Sequence, residues 1–216
     1  ADIFVINGAG MERYMDNVVS QTRQLTIIDA STGIDLLPTH NEYNHDNDNN
    51  SHVWMSVKNA IVQVKNIAGK LCSAMPEHTD KIRENEKNYI SSLEALDMEI
   101  KAELSSFSGT KIITFHEAYD YFARDYGLVI FDLIESSHGN EPSAKKLALL
   151  SREIKENDIK ALFIEPKYSG TAANTLSTET GVKLYTINPI TSGQDSLTAY
   201  EDIMRANVKT IRESIS

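Results

Sequence analysis

Hydrophobic positions along this chain fall into short unbroken runs and longer periodic stretches, and the two patterns alternate. Runs rich in β-branched and aromatic residues predict strands at 2–7, 24–29, 111–115, 128–133, 160–164 and 182–187. Apolar residues at helical spacing predict helices at 10–22, 57–73, 117–126, 143–156, 171–180 and 196–213. In the 57–73 stretch, Val57, Ala60, Ile61, Val64, Ile67, Ala68 and Leu71 share one face. Such alternation places the chain in the α/β class, with mostly parallel sheets covered by helices.

Pro76 opens a different kind of segment. Ile82, Tyr89, Leu93, Leu96, Ile100 and Leu104 form a narrow apolar stripe flanked by charges from Lys81 to Glu103, the pattern of one helix of about seven turns. Ser105-Ser106-Phe107-Ser108-Gly109 ends it. The chain is thus divided into an N-terminal lobe at 1–76, a linking helix at 77–107 and a C-terminal lobe at 108–216.

The strand ends carry the chemistry. Lys111-Ile112-Ile113-Thr114-Phe115 gives way to a helix at His116, Ala161-Leu162-Phe163-Ile164 stops at Glu165-Pro166, and the 182–187 run stops at Asn188-Pro189. Open α/β sheets bind ligands along the carboxyl edge of the strands, so His116, Glu165 and Asn188 are predicted on one rim. His52, in Ser51-His52-Val53-Trp54-Met55, lies at the mouth of the 57–73 helix, where Ser51 is placed to cap it. The polar stretch from Thr39 to Asn50, which contains His40 and His45, has no periodicity and reads as a solvated loop.

Two motifs are excluded by one residue each. Glu117 follows His116 as in the zinc-protease motif His-Glu-x-x-His, but Asp120 occupies the second histidine position. Gly8-Ala9-Gly10 invites a dinucleotide reading, yet Arg13 stands where the third glycine belongs. Composition narrows the classes further. With 41% hydrophobic and 24% charged residues the chain is a globular protein, and a net charge of -10 argues against a nucleic-acid surface. No apolar run approaches the roughly 20 residues that span a bilayer. Cys72 is the only cysteine and reads as a buried free thiol.

The motifs together, in their order, resemble the solute-binding proteins that deliver zinc or manganese to bacterial ABC importers, a group that includes the adhesion lipoproteins. The resemblance rests on Asn7-Gly8-Ala9-Gly10-Met11-Glu12, Gly33-Ile34-Asp35-Leu36-Leu37, the two histidine contexts, Glu141-Pro142-Ser143, Phe163-Ile164-Glu165-Pro166 and Tyr200-Glu201-Asp202-Ile203-Met204-Arg205-Ala206-Asn207, and covers nearly the whole chain. It implies two α/β lobes joined by one long rigid helix, with a metal cleft between the lobes. It also implies an extracytoplasmic receptor, in the periplasm or lipid-anchored at the outer face of the cell membrane, that hands its ion to an ABC permease. Contact with the membrane is expected only through that anchor or the permease.

The resemblance implies His52 and His116 as metal ligands. Asn188 stands where a subset of relatives has a ligating aspartate, and its neutral amide is expected to support the site. Glu165 is expected to fix an imidazole through its N–H, and His45 lies where zinc-selecting relatives carry a His/Asp-rich loop. Zinc is the expected cargo, with manganese the alternative, because His116 replaces the carboxylate often found in manganese-selective relatives. A signal peptide, a first βα unit and a third histidine ligand are expected upstream of Ala1. No reaction on a substrate is implied. A metal-dependent hydrolase using Glu117 in the same cleft and a surface adhesin are the alternatives.

Overall fold

The computed structural model describes residues 1–13, 25–40, 49–135, 142–168, 170–193 and 195–216. The chain divides into two compact units, Ala1–Asp97 and Met98–Ser216.

In the first unit, β1 (Ile3–Ile6) and β2 (Thr26–Asp29) pair in parallel, with Ile3 opposite Thr26 and Ile6 opposite Asp29. The helix expected over 10–22 falls mainly on residues outside those described, and residues 9–12 form a turn. Gly8, Ala9 and Gly10 in succession take positive φ values of 81°, 52° and 84°. A side chain at Gly8 has no room, since a Cβ there would lie 1.9 Å from Asp29 Oδ1 and 2.3 Å from Ser31 Oγ. Those atoms form a polar knot: the Ser31 hydroxyl donates to Asp29 Oδ1 at 2.8 Å and accepts the Ala9 N–H at 2.9 Å.

A 3-10 turn at Val53–Met55 leads into α1 (Val57–Ala74). The cap is Ser56, whose hydroxyl accepts the Asn59 N–H at 3.1 Å, and not Ser51 as the sequence suggests. The intervening turn moves the start of the helix beyond the reach of Ser51. Cys72 is half-buried, a correction to the enclosed thiol expected; it lies where α1 runs out and Ser73 and Ala74 are exposed.

The long helix α2 (Thr79–Leu104) follows a 3-10 turn that has Pro76 at its first position, where a missing N–H costs nothing. Its buried stripe is Leu93, Leu96, Ile100 and Leu104, none more than 1% exposed. The boundary between the two units falls within this helix.

The second unit is built on a four-stranded parallel sheet of order β4-β3-β5-β6, from β3 (Lys111–Thr114), β4 (Val129–Leu133), β5 (Leu162–Ile164) and β6 (Leu184–Thr186). Around it lie α3 (Asp120–Tyr126), α4 (Ala144–Glu156), α5 (Thr171–Thr180) and α6 (Ala199–Ile215). Adjacent residues Ile112 and Ile113 are both buried, so both faces of the sheet are covered, as a parallel sheet requires. Ile113, Leu162, Leu150, Ile154 and Leu176 share one core cluster that joins the sheet to α4 and α5. Arg205 and Arg212 of α6 pair with Glu99 and Glu103 in the last turns of α2. Every strand and helix predicted beyond residue 110 is present within three residues of its expected bounds, except that Glu117–Tyr119 is a 3-10 turn ahead of α3.

Candidate metal centre

The chain runs from β3 out to β4 and then returns to place β5 on the other side of β3. The order therefore reverses between β3 and β5, and the crevice beyond their carboxyl ends is the switch point at which such sheets bind ligands. Ile113 is paired with Leu162 and Thr114 with Phe163. The same offset, carried two residues further, brings His116 beside Glu165.

There the His116 Nδ1 hydrogen-bonds Glu165 Oε1. A carboxylate only accepts, so Nδ1 carries the proton and the neutral ring holds its lone pair on Nε2. The pair is sheltered, with side chains 23% and 17% exposed. The fully buried Thr114 holds the backbone by donating its hydroxyl to the His116 carbonyl at 2.9 Å. Burial acts to lower the His116 pKa, but the hydrogen bond and charge of Glu165, helped by Glu135 and Glu117, outweigh it and raise the pKa above the ordinary histidine value. Nearby Tyr119 is buried, and burial together with the Glu165 charge keeps its phenol protonated far above the usual range.

Asn188 lies two residues beyond β6, and none of its hydrogen bonds reaches His116. Its Oδ1 accepts the Ile190 N–H at 2.8 Å and its Nδ2 donates to the Ser192 carbonyl at 2.6 Å. The buried Asn207 amide takes the Asn188 N–H at 2.8 Å and donates to its carbonyl at 2.7 Å. Asn188 is thus spent in a turn that holds Ile190, a β-branched residue, at a φ of 63°.

In the first unit, His52 is half-buried and its ring lies 5.2 Å from that of Trp54. Asn50 Oδ1 accepts the His52 backbone N–H at 3.0 Å and lies 2.9 Å from His52 Nδ1. Asn7, at the end of β1, donates to the Ser51 carbonyl at 2.9 Å. Neither Asn7 nor Asn50 is marked by its local sequence as a neighbour of His52. His45 and His138 lie outside the described residues, and His78 is exposed beside Glu77. Among the described residues no group of three or more His, Cys, Asp and Glu side chains is gathered for a metal.

Residues 1–214 match the family described as zinc-uptake complex component A, periplasmic. The chain belongs to this family. Zinc-binding protein AdcA of Streptococcus pyogenes serotype M1 is 32% identical over 241 residues, covering 98% of this chain. The chain spans only 46% of the length of that relative. The high-affinity zinc uptake system protein ZnuA of Bacillus subtilis is 31% identical and covers all of this chain, which spans 72% of it. Among solved family structures, the Zn(II)-bound ZnuA-like domain of Streptococcus pneumoniae AdcA is 30% identical, with a TM-score of 0.81 over 100% of this chain and 80% of that one. The zinc-uptake component A fold, helices on mostly parallel sheets, is the fold described above. Among the described residues no helix is long and apolar enough to cross a membrane.

Proposed function

We propose that the chain is the ion-capturing receptor of a zinc importer, binding Zn²⁺ reversibly outside the cytoplasm and passing it to the membrane permease of an ABC transporter. The carrying observation is the carboxylate on Nδ1 of His116 at the sheet's switch point. Metal-ligating histidines characteristically donate their other ring N–H to such a group, which fixes the ring and makes it a better donor. His52 and His116 ligate through Nε2 and Glu165 positions His116. Asn188 serves its own turn and leaves the ion alone.

Zinc is favoured over manganese because the two donors are imidazoles, and harder carboxylate sets suit manganese. The zinc named for the relatives in Streptococcus and Bacillus agrees with that choice. The ion and a proton compete for the His116 ring, so loading is coupled to pH. No bond in the cargo is made or broken, and no general base is needed.

The test is a competition titration with a zinc indicator on the wild type, His52→Ala and His116→Ala. Each substitution is expected to weaken zinc by more than the roughly 10–100-fold that loss of an outer-shell partner costs. Wild-type affinity in both variants overturns the assignment. Tighter binding of manganese than of zinc overturns the choice of cargo.

A further inference from the structure

We propose that Asn50 is a positioning residue for His52, selecting the tautomer that leaves the lone pair on Nε2, and that Asn7 holds the segment in which both lie. The proposal rests on the reading of His52 as a zinc ligand.

The argument begins with a group whose role has no ambiguity. The His52 backbone N–H can only donate, and it points at the Asn50 side chain at 3.0 Å. The atom it meets is therefore the amide oxygen and not the nitrogen, which settles the orientation that amide side chains otherwise leave open. That same oxygen lies 2.9 Å from His52 Nδ1. An amide oxygen only accepts, so Nδ1 must be the protonated nitrogen and the neutral ring carries its lone pair on Nε2.

Asn50 is well placed for this work because it is itself fixed. It is 0% exposed, so bulk water does not compete for its oxygen, and its backbone N–H donates to the Leu37 carbonyl at 2.8 Å. Asn49, just before it, forms an antiparallel bridge with Pro38.

A second layer ties this segment to the sheet. Asn7 Nδ2 donates to the Ser51 carbonyl at 2.9 Å and the Gly8 carbonyl at 3.0 Å, while its Oδ1 accepts from Gln63 of α1 at 3.0 Å. The Glu12 carboxylate in turn accepts the Asn7 and Gly8 N–H groups at 2.8 and 3.1 Å. The peptide immediately before His52 is thereby anchored to both β1 and α1. The two histidines reach the same tautomer by different means: His116 through an anionic carboxylate, His52 through a neutral amide that orients the ring without adding charge.

Histidine ring shifts from ¹⁵N and ¹³C NMR of the metal-free chain, at a pH where His52 is neutral, read the tautomer directly. The wild type is expected to show Nδ1–H at His52. Asn50→Ala is expected to populate Nε2–H and to weaken zinc about 10–100-fold, with Asn50→Asp restoring the tautomer and most of the affinity. Asn7→Leu is expected to give mixed tautomers with Asn50 intact, and unmixed Nδ1–H signals overturn its share of the proposal. An Nε2–H form in the wild type overturns the whole with no variant required, so a poorly folded Asn50→Ala leaves the test standing. Unchanged tautomer and affinity in a folded Asn50→Ala also overturn it. Wild-type zinc affinity in His52→Ala instead removes the ligand reading, and the positioning role with it, whatever the tautomer.

Discussion

His116 donates its Nδ1 proton to the carboxylate of Glu165, a residue 49 positions away, because β3 and β5 end side by side at the point where the sheet reverses its order. The contact is a product of strand register. It is also the source of the pH behaviour expected of the site.

Glu165→Gln is expected to weaken zinc binding about 10–100-fold at pH 8, since the amide is a poorer partner for the ring. The pH profile is expected to move the other way. In the wild type the raised His116 pKa is expected to let protons compete with zinc for the ring at a higher pH than they would at an ordinary histidine. Without the Glu165 carboxylate the pKa is expected to fall from its raised value, shifting the acid loss of zinc to lower pH. Competition titrations between about pH 5 and 8 measure both effects.

The same pair leaves a mark on the stability of the metal-free protein. A folded pKa raised above the unfolded one means that the native state holds the proton more tightly. That stabilisation is fully present below about pH 6.5 and is lost as pH rises through the raised value. The wild-type melting temperature in chelator is therefore expected to fall, relative to Glu165→Gln, as pH is raised from about 6 to 8. Parallel curves for the two proteins would show that the pair adds no pH-dependent stability.

At position 188, an aspartate would keep the bond from the Ile190 N–H but set a carboxylate oxygen against the Ser192 carbonyl, where Nδ2 now donates at 2.6 Å. Two acceptors facing each other are expected to cost Asn188→Asp about 1–3 kcal/mol. Urea unfolding of the metal-free variant measures this, and an unchanged midpoint would mean that the turn does not depend on the amide.

Gly8→Ala combines a positive φ with a Cβ placed on Asp29 and Ser31, whereas Gly33, also at a φ of 81°, has nothing within 4 Å of its Cβ position. Both alanine variants are expected to destabilise the chain, and Gly8→Ala by clearly more than the roughly 1 kcal/mol of a backbone effect alone. Chemical denaturation of the pair separates crowding from backbone strain; equal losses would discount the crowding.

Much of this fold was legible because each strand of the second unit is an apolar run closed by a polar residue, as at Phe163-Ile164-Glu165-Pro166. The turn at Glu117–Tyr119 was not, since Ala118, Tyr121 and Phe122 fit helical spacing whichever way the first turn is wound. Glu165 could be placed at a strand end, but that it meets His116 depends on which strands are neighbours, a tertiary matter. Asn50 was hidden most completely. It closes the run Asn47-Asp48-Asn49-Asn50, whose composition says solvent, while its burial is imposed by Leu37 and by the segment carrying His52. Ser56 was overlooked as a cap because nothing local announces the short turn before it.

The Ile113 to Leu162 and Thr114 to Phe163 pairings also mean that four of the most enclosed side chains in the molecule act as the ruler that spaces His116 from Glu165. A substitution such as Leu162→Ala, which removes neither a charge nor a metal-binding atom, is expected to blur that spacing as the strand settles into the void. Under the proposed zinc-receptor reading, a screen that scores variants only by zinc binding is then expected to count packing defects as lost ligands. Separating them requires asking of each weak binder whether its two strands still end level with one another.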